Sequence, residues 1–176
     1  MSATPGALAD VELSRVLAGA PVVGSHVRAV AHRLSLRPIE TWRREDPPIE
    51  ALGWYLFECT ARDDRVFVTF FAPDLYFYAE RPFAGGQVYL QPGWHGSEAD
   101  QRLTIERLET QHVPVVIERA DADYRTSFPL VHAWVQEHYR PAPALAPANM
   151  RAYRLLVDRR VTPTGIYEPL GAPCFR

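Results

Sequence analysis

From Pro48 onward, apolar residues recur at helical spacing. Ile49, Leu52, Leu56 and Cys59 stand at i, i+3, i+7 and i+10, which predicts an amphipathic helix with Pro48 in its first turn. The polar turn Arg62-Asp63-Asp64 ends that pattern. The run 65–71 is short, apolar and rich in β-branched and aromatic residues, as expected of a buried central strand. Ala72-Pro73-Asp74 opens a second helix reaching Glu80, which Arg81-Pro82 breaks before a turn at Gly85-Gly86. Residues 87–91 predict a second strand and 92–96 a loop. Ser97 caps a third helix, with Asp100 in the capping-box position and an inward stripe of Gln101, Ile105, Leu108 and His112. Residues 113–117 read as the next strand, with Pro114 near its start. Thr126 or Ser127 caps the helix after it, which carries Phe128, Val131, His132, Val135 and Tyr139 on one face. A Pro/Ala linker at 141–148 leads to a last strand at 152–157.

Alternation of helix and strand argues for an α/β domain over 48–161. The expected form is a small, mostly parallel open sheet of about four strands with helices on its faces, Rossmann-like, joined by right-handed crossovers. Residues 162–176 read as an irregular tail. Residues 1–47 read as an auxiliary or linker segment. Within it, 7–18 suits a short helix with Leu8, Val11 and Val16, and Val27, Val30 and Leu34 give helical spacing in a second piece. A basic run over 26–44 comprises His26, Arg28, His32, Arg33, Arg37, Arg43 and Arg44 around Trp42. Such a run is either a solvated face or a membrane-surface segment, because Arg and Trp favour anionic interfaces.

Composition narrows the function classes. The 176 residues are 47% hydrophobic and 23% charged with a net charge of -2, ordinary values for a globular domain and no basic field for nucleic acid. All 19 cationic side chains are Arg, so Schiff-base and P-loop lysine chemistry is excluded. The two cysteines, Cys59 and Cys174, make neither a disulfide framework nor a zinc site, and whether they pair stays open. No stretch reaches the roughly 18 apolar residues of a membrane span, and no basic-then-apolar leader opens the chain.

Ligands of open α/β sheets sit beyond the carboxyl ends of the strands. The loops there make Asp74, Arg81, Trp94, His95 and Glu98 the candidate ligand-binding rim, and the loop after the third strand holds Glu118, Arg119, Asp121 and Asp123. Asp74 and Glu98 equally suit the first turn of a helix, where a carboxylate offsets the dipole. His112 and His132 fall on apolar helix faces and read as core histidines. No metal-ligand spacing, nucleophile elbow or glycine-rich phosphate loop occurs, so no catalytic residue, metal site or cofactor is assigned.

The segments 64–68, 72–77 (Ala-Pro-Asp-Leu-Tyr-Phe) and 80–86 (Glu-Arg-Pro-Phe-Ala-Gly-Gly) resemble the soluble C-terminal region of bacterial multi-pass GT-C membrane glycosyltransferases. These are the dolichyl-phosphate-mannose–protein mannosyltransferase-like enzymes. Gln101, Ile105 and Leu108 leading into 113–117 are similar too, as are 128–135 with His138-Tyr139, 157–160, 162–165 and 167–171. In that family a membrane-embedded part acts on a lipid-phosphate-linked sugar through an acidic residue in an early extracytoplasmic loop. Neither the spans nor that loop is found in these residues. The resemblance therefore implies a non-catalytic accessory domain partnered with a membrane glycosyltransferase portion, or with the membrane surface through 26–44. It implies an extracytoplasmic, membrane-associated place, whereas a chain standing alone is expected in the cytoplasm. The alternative is a stand-alone small-molecule or glycan-binding α/β module using the Asp74/Arg81/Trp94/His95 rim. An independent enzyme ranks last, since it needs His95 paired with Asp74 or Glu98 as acid and base.

Overall fold

Neighbouring side chains on a strand point to opposite faces, so the unbroken apolar runs near 66–68 and 115–117 are satisfied only when both faces of a sheet are covered. That is the arrangement in the computed structural model, which describes residues 20–41, 46–120 and 124–176. Val66, Val68, Val115, Ile117 and Leu155 belong to one apolar cluster, and Phe67, Val116 and Leu156 to a second. The chain divides into two units, Met1–Thr41 and Trp42–Arg176.

The smaller unit contains α1 (Ala20–Ser35) and α2 (Pro38–Thr41). Val27, Val30 and Leu34 are exposed along α1. The helix expected over 7–18, with Leu8, Val11 and Val16, lies outside the described residues, as do Trp42, Arg43 and Arg44.

In the larger unit, the Asp46 carboxylate accepts from the Ile49 N–H at 3.4 Å and caps α3 (Pro47–Cys59). Next come β1 (Val66–Val68), α4 (Pro73–Ala79), α5 (Glu98–Thr110) and β2 (Val115–Arg119). The chain continues through α6 (Tyr124–Ser127), α7 (Pro129–His138), β3 (Tyr139–Pro141) and β4 (Tyr153–Asp158). Leu52, Leu56 and Leu75 of α3 and α4 pack on one face of the sheet. Leu108 of α5 and Val131 and Val135 of α7 pack on the other.

The α/β class holds, but the sheet is mixed. Its order is β1-β2-β4-β3. Only β1 and β2 run parallel, with Val66 opposite Val115, and β4 is antiparallel to both β2 and β3. Parallel neighbours need a long crossover. The chain between β1 and β2 supplies one through α4 and α5. By contrast α7 runs straight into β3 at Tyr139, and residues 142–152 hold only a 3-10 turn at Ala148–Met150, so β4 returns antiparallel.

Residues 87–91 do not form the expected strand. Only 82–84 run along the free edge of β1: the Val66 N–H donates to Pro82 O at 3.0 Å and the Ala84 N–H donates to Val66 O at 2.9 Å. Gly85 and Gly86, at φ 69° and 77°, then turn the chain away in a conformation that side chains oppose. A second expectation also changes. Thr126 and Ser127 lie in α6, and the N-cap of α7 is Phe128, which makes no side-chain cap bond but is fully buried in the second cluster.

The Pro/Ala segment is packed rather than a free linker. Leu145 is buried, and the Ala142 and Ala146 N–H groups donate to Leu155 O at 2.9 Å and Leu170 O at 3.1 Å. The segment expected to be irregular contains the antiparallel pair β5 (Gly165–Tyr167) and β6 (Ala172–Cys174). Its end is fastened to α3 by a Cys59–Cys174 disulfide with Cα atoms 4.5 Å apart. The Phe175 N–H donates to Cys59 O, and the Tyr55 hydroxyl donates to Pro173 O, both at 2.8 Å.

The disulfide closes a loop across a sequence separation of 115, so its loss releases a large unfolded-state constraint. Cys174→Ser is expected to lower stability by about 2–4 kcal/mol, with reductant lowering the wild type toward the same value. Denaturant unfolding with and without reductant measures both.

Candidate functional site

Residues 85–97 run back along α5 and are tied to it at three levels. At the C-terminal end of the helix, the Gly85 N–H donates to Gln111 Oε1 at 2.9 Å. Midway, Gln87 Nε2 donates to Thr104 Oγ1 at 2.9 Å. At the N-terminal end, Gln101 Nε2 donates to Gly96 O at 2.8 Å, while its Oε1 accepts from the Leu130 N–H at 2.9 Å and so joins α5 to α7. Ser97 sets the start of the helix: its Oγ accepts from the Asp100 N–H at 3.2 Å and donates to Asp100 Oδ2 at 2.6 Å.

Between loop and helix lies an open groove of about 470 Å³, within the usual range for small-ligand sites. The loop contributes Gln87, Tyr89, Gln91, Trp94 and His95. The helix contributes Asp100, Leu103, Thr104 and Arg107, at i, i+3, i+4 and i+7 on one face. Trp94 is 67% exposed. Phe71, just past β1, meets the Tyr89 ring edge-on at 4.8 Å, and the Tyr89 hydroxyl donates to Gln91 Oε1. His95, at φ 50°, has its Nδ1 3.9 Å from Asp100 Oδ1.

The expected rim is only partly assembled here. Trp94 and His95 line the groove, but Asp74, Arg81 and Glu98 do not. Asp74 is exposed in the first turn of α4. Glu98 holds Arg102 at 2.7 Å one helical turn on. Among the described residues no hydrogen bond or ion pair joins His95 to Asp74 or Glu98, so the acid–base pair needed for an enzyme there is not formed.

Arg81 has a different task. It is 4% exposed, and all five of its N–H donors are used within the protein. Nε donates to Thr60 Oγ1 at 2.8 Å, and Nη2 donates to Phe57 O at 2.8 Å and Thr60 O at 2.7 Å. Nη1 donates to Ala79 O at 2.8 Å and Glu80 O at 3.2 Å. These carbonyls end α3 and α4, where the helix dipoles favour a cation. Burial pulls the guanidinium's pKa below its usual value; Arg176 and Arg62 lower it further, against Asp64 and Glu80. No donor remains for a ligand.

Among the other candidates, Glu118 is buried and accepts from the Tyr124 hydroxyl, with Arg154 3.1 Å away. Burial, then the bond to Glu118, raises the Tyr124 pKa. Asp121 and Asp123 lie outside the described residues. His112 pairs with Asp64 at 2.7 Å. His132 is half-buried against the Tyr124 ring, with centroids 5.5 Å apart. Among the described residues no cluster of His, Cys, Asp and Glu could hold a metal ion, and no helix is long and apolar enough to cross a membrane.

Sequence reasoning missed Tyr89, Asp100 and Arg107 as groove residues. The signal for the helical pair was their separation by seven positions, two turns along one face. Compared with protein-family models, curated proteins and solved structures, the chain matches none.

Removing the Arg81 guanidinium leaves buried carbonyls without donors. Arg81→Met is expected to cost roughly 3 kcal/mol or more in denaturant unfolding, and Arg81→Lys most of that, because a lysine cannot reproduce the planar fork.

Proposed function

We propose that residues 46–176 form a non-catalytic module that holds a sugar in the groove along α5. We further propose that it serves as an accessory domain to a membrane glycosyltransferase of the kind its sequence resembles. The observation that carries the reading is the exposed Trp94 indole in a groove whose lining also holds Tyr89 and Leu103 together with amide and charged side chains. An aromatic face takes the apolar side of a sugar ring. Gln87 Oε1 and Gln91 Nε2, which make no hydrogen bond among the described residues, offer an acceptor and a donor for its hydroxyl groups.

Two further features support the wider reading. The Cys59–Cys174 bond is of the kind that persists in oxidising compartments, which agrees with an extracytoplasmic place. Along α1, Val27, Val30 and Leu34 are exposed on the same helix as exposed Arg28 and His32, a composition suited to an anionic membrane surface or to the membrane part of a partner.

Trp94→Ala is expected to weaken oligosaccharide binding about tenfold or more, the equivalent of about 1.4 kcal/mol, without changing thermal stability. Calorimetric titration over a panel of short oligosaccharides checks it. Binding that survives Trp94→Ala undiminished removes the groove from the reading. The membrane contact has its own test. Leu34→Glu is expected to reduce flotation of the full chain with vesicles containing anionic lipid, and unchanged flotation excludes α1 as the contact.

A further inference from the structure

The groove lining contains His95, Asp100 and Arg107, and the acidic and the basic ends of it are answered unequally. Asp100 lies in the first turn of α5, where the helix dipole favours a carboxylate. It also accepts from Ser97 Oγ at 2.6 Å and faces His95 Nδ1 at 3.9 Å. Arg107 stands two turns along the same face, roughly 10 Å away. Among the described residues it has no ion pair and no side-chain hydrogen bond. Its place in the last turn of α5 suits a cation, but the dipole occupies none of its N–H donors. Arg81 is the contrast within the same chain: there the protein itself uses every donor.

The loop makes room for this guanidinium. Gly86 lies at φ 77°, and a Cβ built there would come within 2.8 Å of Arg107 Cδ and Cζ and closer still to Nη1. The Arg107 head therefore rests against bare backbone on the groove wall, with Gln87 beside it in the lining. A guanidinium stays charged at any physiological pH and matches a carboxylate or phosphate with paired hydrogen bonds.

We infer that the ligand of this groove is an anionic saccharide, whose carboxylate or phosphate is held by Arg107 while a sugar ring lies on Trp94. This rests on the sugar-binding reading of the groove and adds the charge of the ligand to it. A uronic acid and a sugar phosphate present the same chemistry to Arg107.

The test titrates the full chain with three short oligosaccharides: one neutral, one ending in a hexuronic acid and one carrying a phosphate. Calorimetry gives the affinities, and the Trp94 indole resonance reports occupancy of the groove. At least one anionic probe is expected to bind about tenfold or more tightly than the neutral one, and which one does so identifies the source of the charge. Arg107→Ala is expected to erase that preference, bringing the anionic probes to the affinity of the neutral one, without lowering thermal stability. Arg107→Lys, which keeps the charge without the fork, is expected to retain part of the preference. If the neutral probe binds as tightly as both anionic ones, or Arg107→Ala changes nothing, the anion inference is wrong and the sugar groove stands. If no probe moves the Trp94 resonance, both are wrong.

Discussion

A buried guanidinium with no salt-bridge partner among the described residues organises one corner of this domain. Arg81 sits where α3 and α4 end, and its five N–H groups satisfy carbonyls that the helices leave without partners, together with the Thr60 hydroxyl. Burying a charge costs several kcal/mol unless hydrogen bonds replace water. Here two helix C-termini supply both the acceptors and a favourable dipole. The Cys59–Cys174 bond joins the same end of α3 to the C-terminal hairpin. One corner thus fixes two helices and the hairpin that cover one face of the sheet.

The path of the chain beyond Arg81 depends on that anchor. With Arg81 held, Pro82 to Ala84 lie along the edge of β1, and the two left-handed glycines redirect the chain onto α5. Three side-chain bonds then hold the loop parallel to the helix but at a distance from much of its surface. The groove is the space left by that spacing. It is built from a loop and the outward face of a covering helix, not from the crevice at the carboxyl ends of parallel strands. Phe71 nevertheless links the two regions, because it leaves the end of β1 and packs on Tyr89.

The part of the fold that was legible came from periodicity. Leu52, Leu56 and Cys59 are all buried on α3, and Ser97 caps α5 as its spacing with Asp100 requires. The errors share a cause. Residues 87–91 carry a strand-like composition, yet a strand needs a partner, and the glycine turn carries this stretch away from the free edge of β1. Arg81 reads as a rim residue from its place in the chain beyond β1; its burial depends on carbonyls contributed by two helices. Trp94 and His95 do line the groove, because the loop assigned to the rim is the one that runs back along α5. Arg107 was missed because one arginine among 19 carries no mark of lacking a partner.

By itself the sequence determined the α/β class, the placing of most helices and of the strands near 66, 115 and 153, and the absence of familiar catalytic motifs. Those properties depend on local spacing, which is written in consecutive residues. Tertiary structure alone decided the mixed sheet, the pairing of Cys59 with Cys174 and the opposite fates of Arg81 and Arg107. Each of these depends on which distant groups meet. A guanidinium becomes structural where folding brings acceptors to all of its donors, as at Arg81, and keeps its donors open where, among the described residues, folding brings none, as at Arg107.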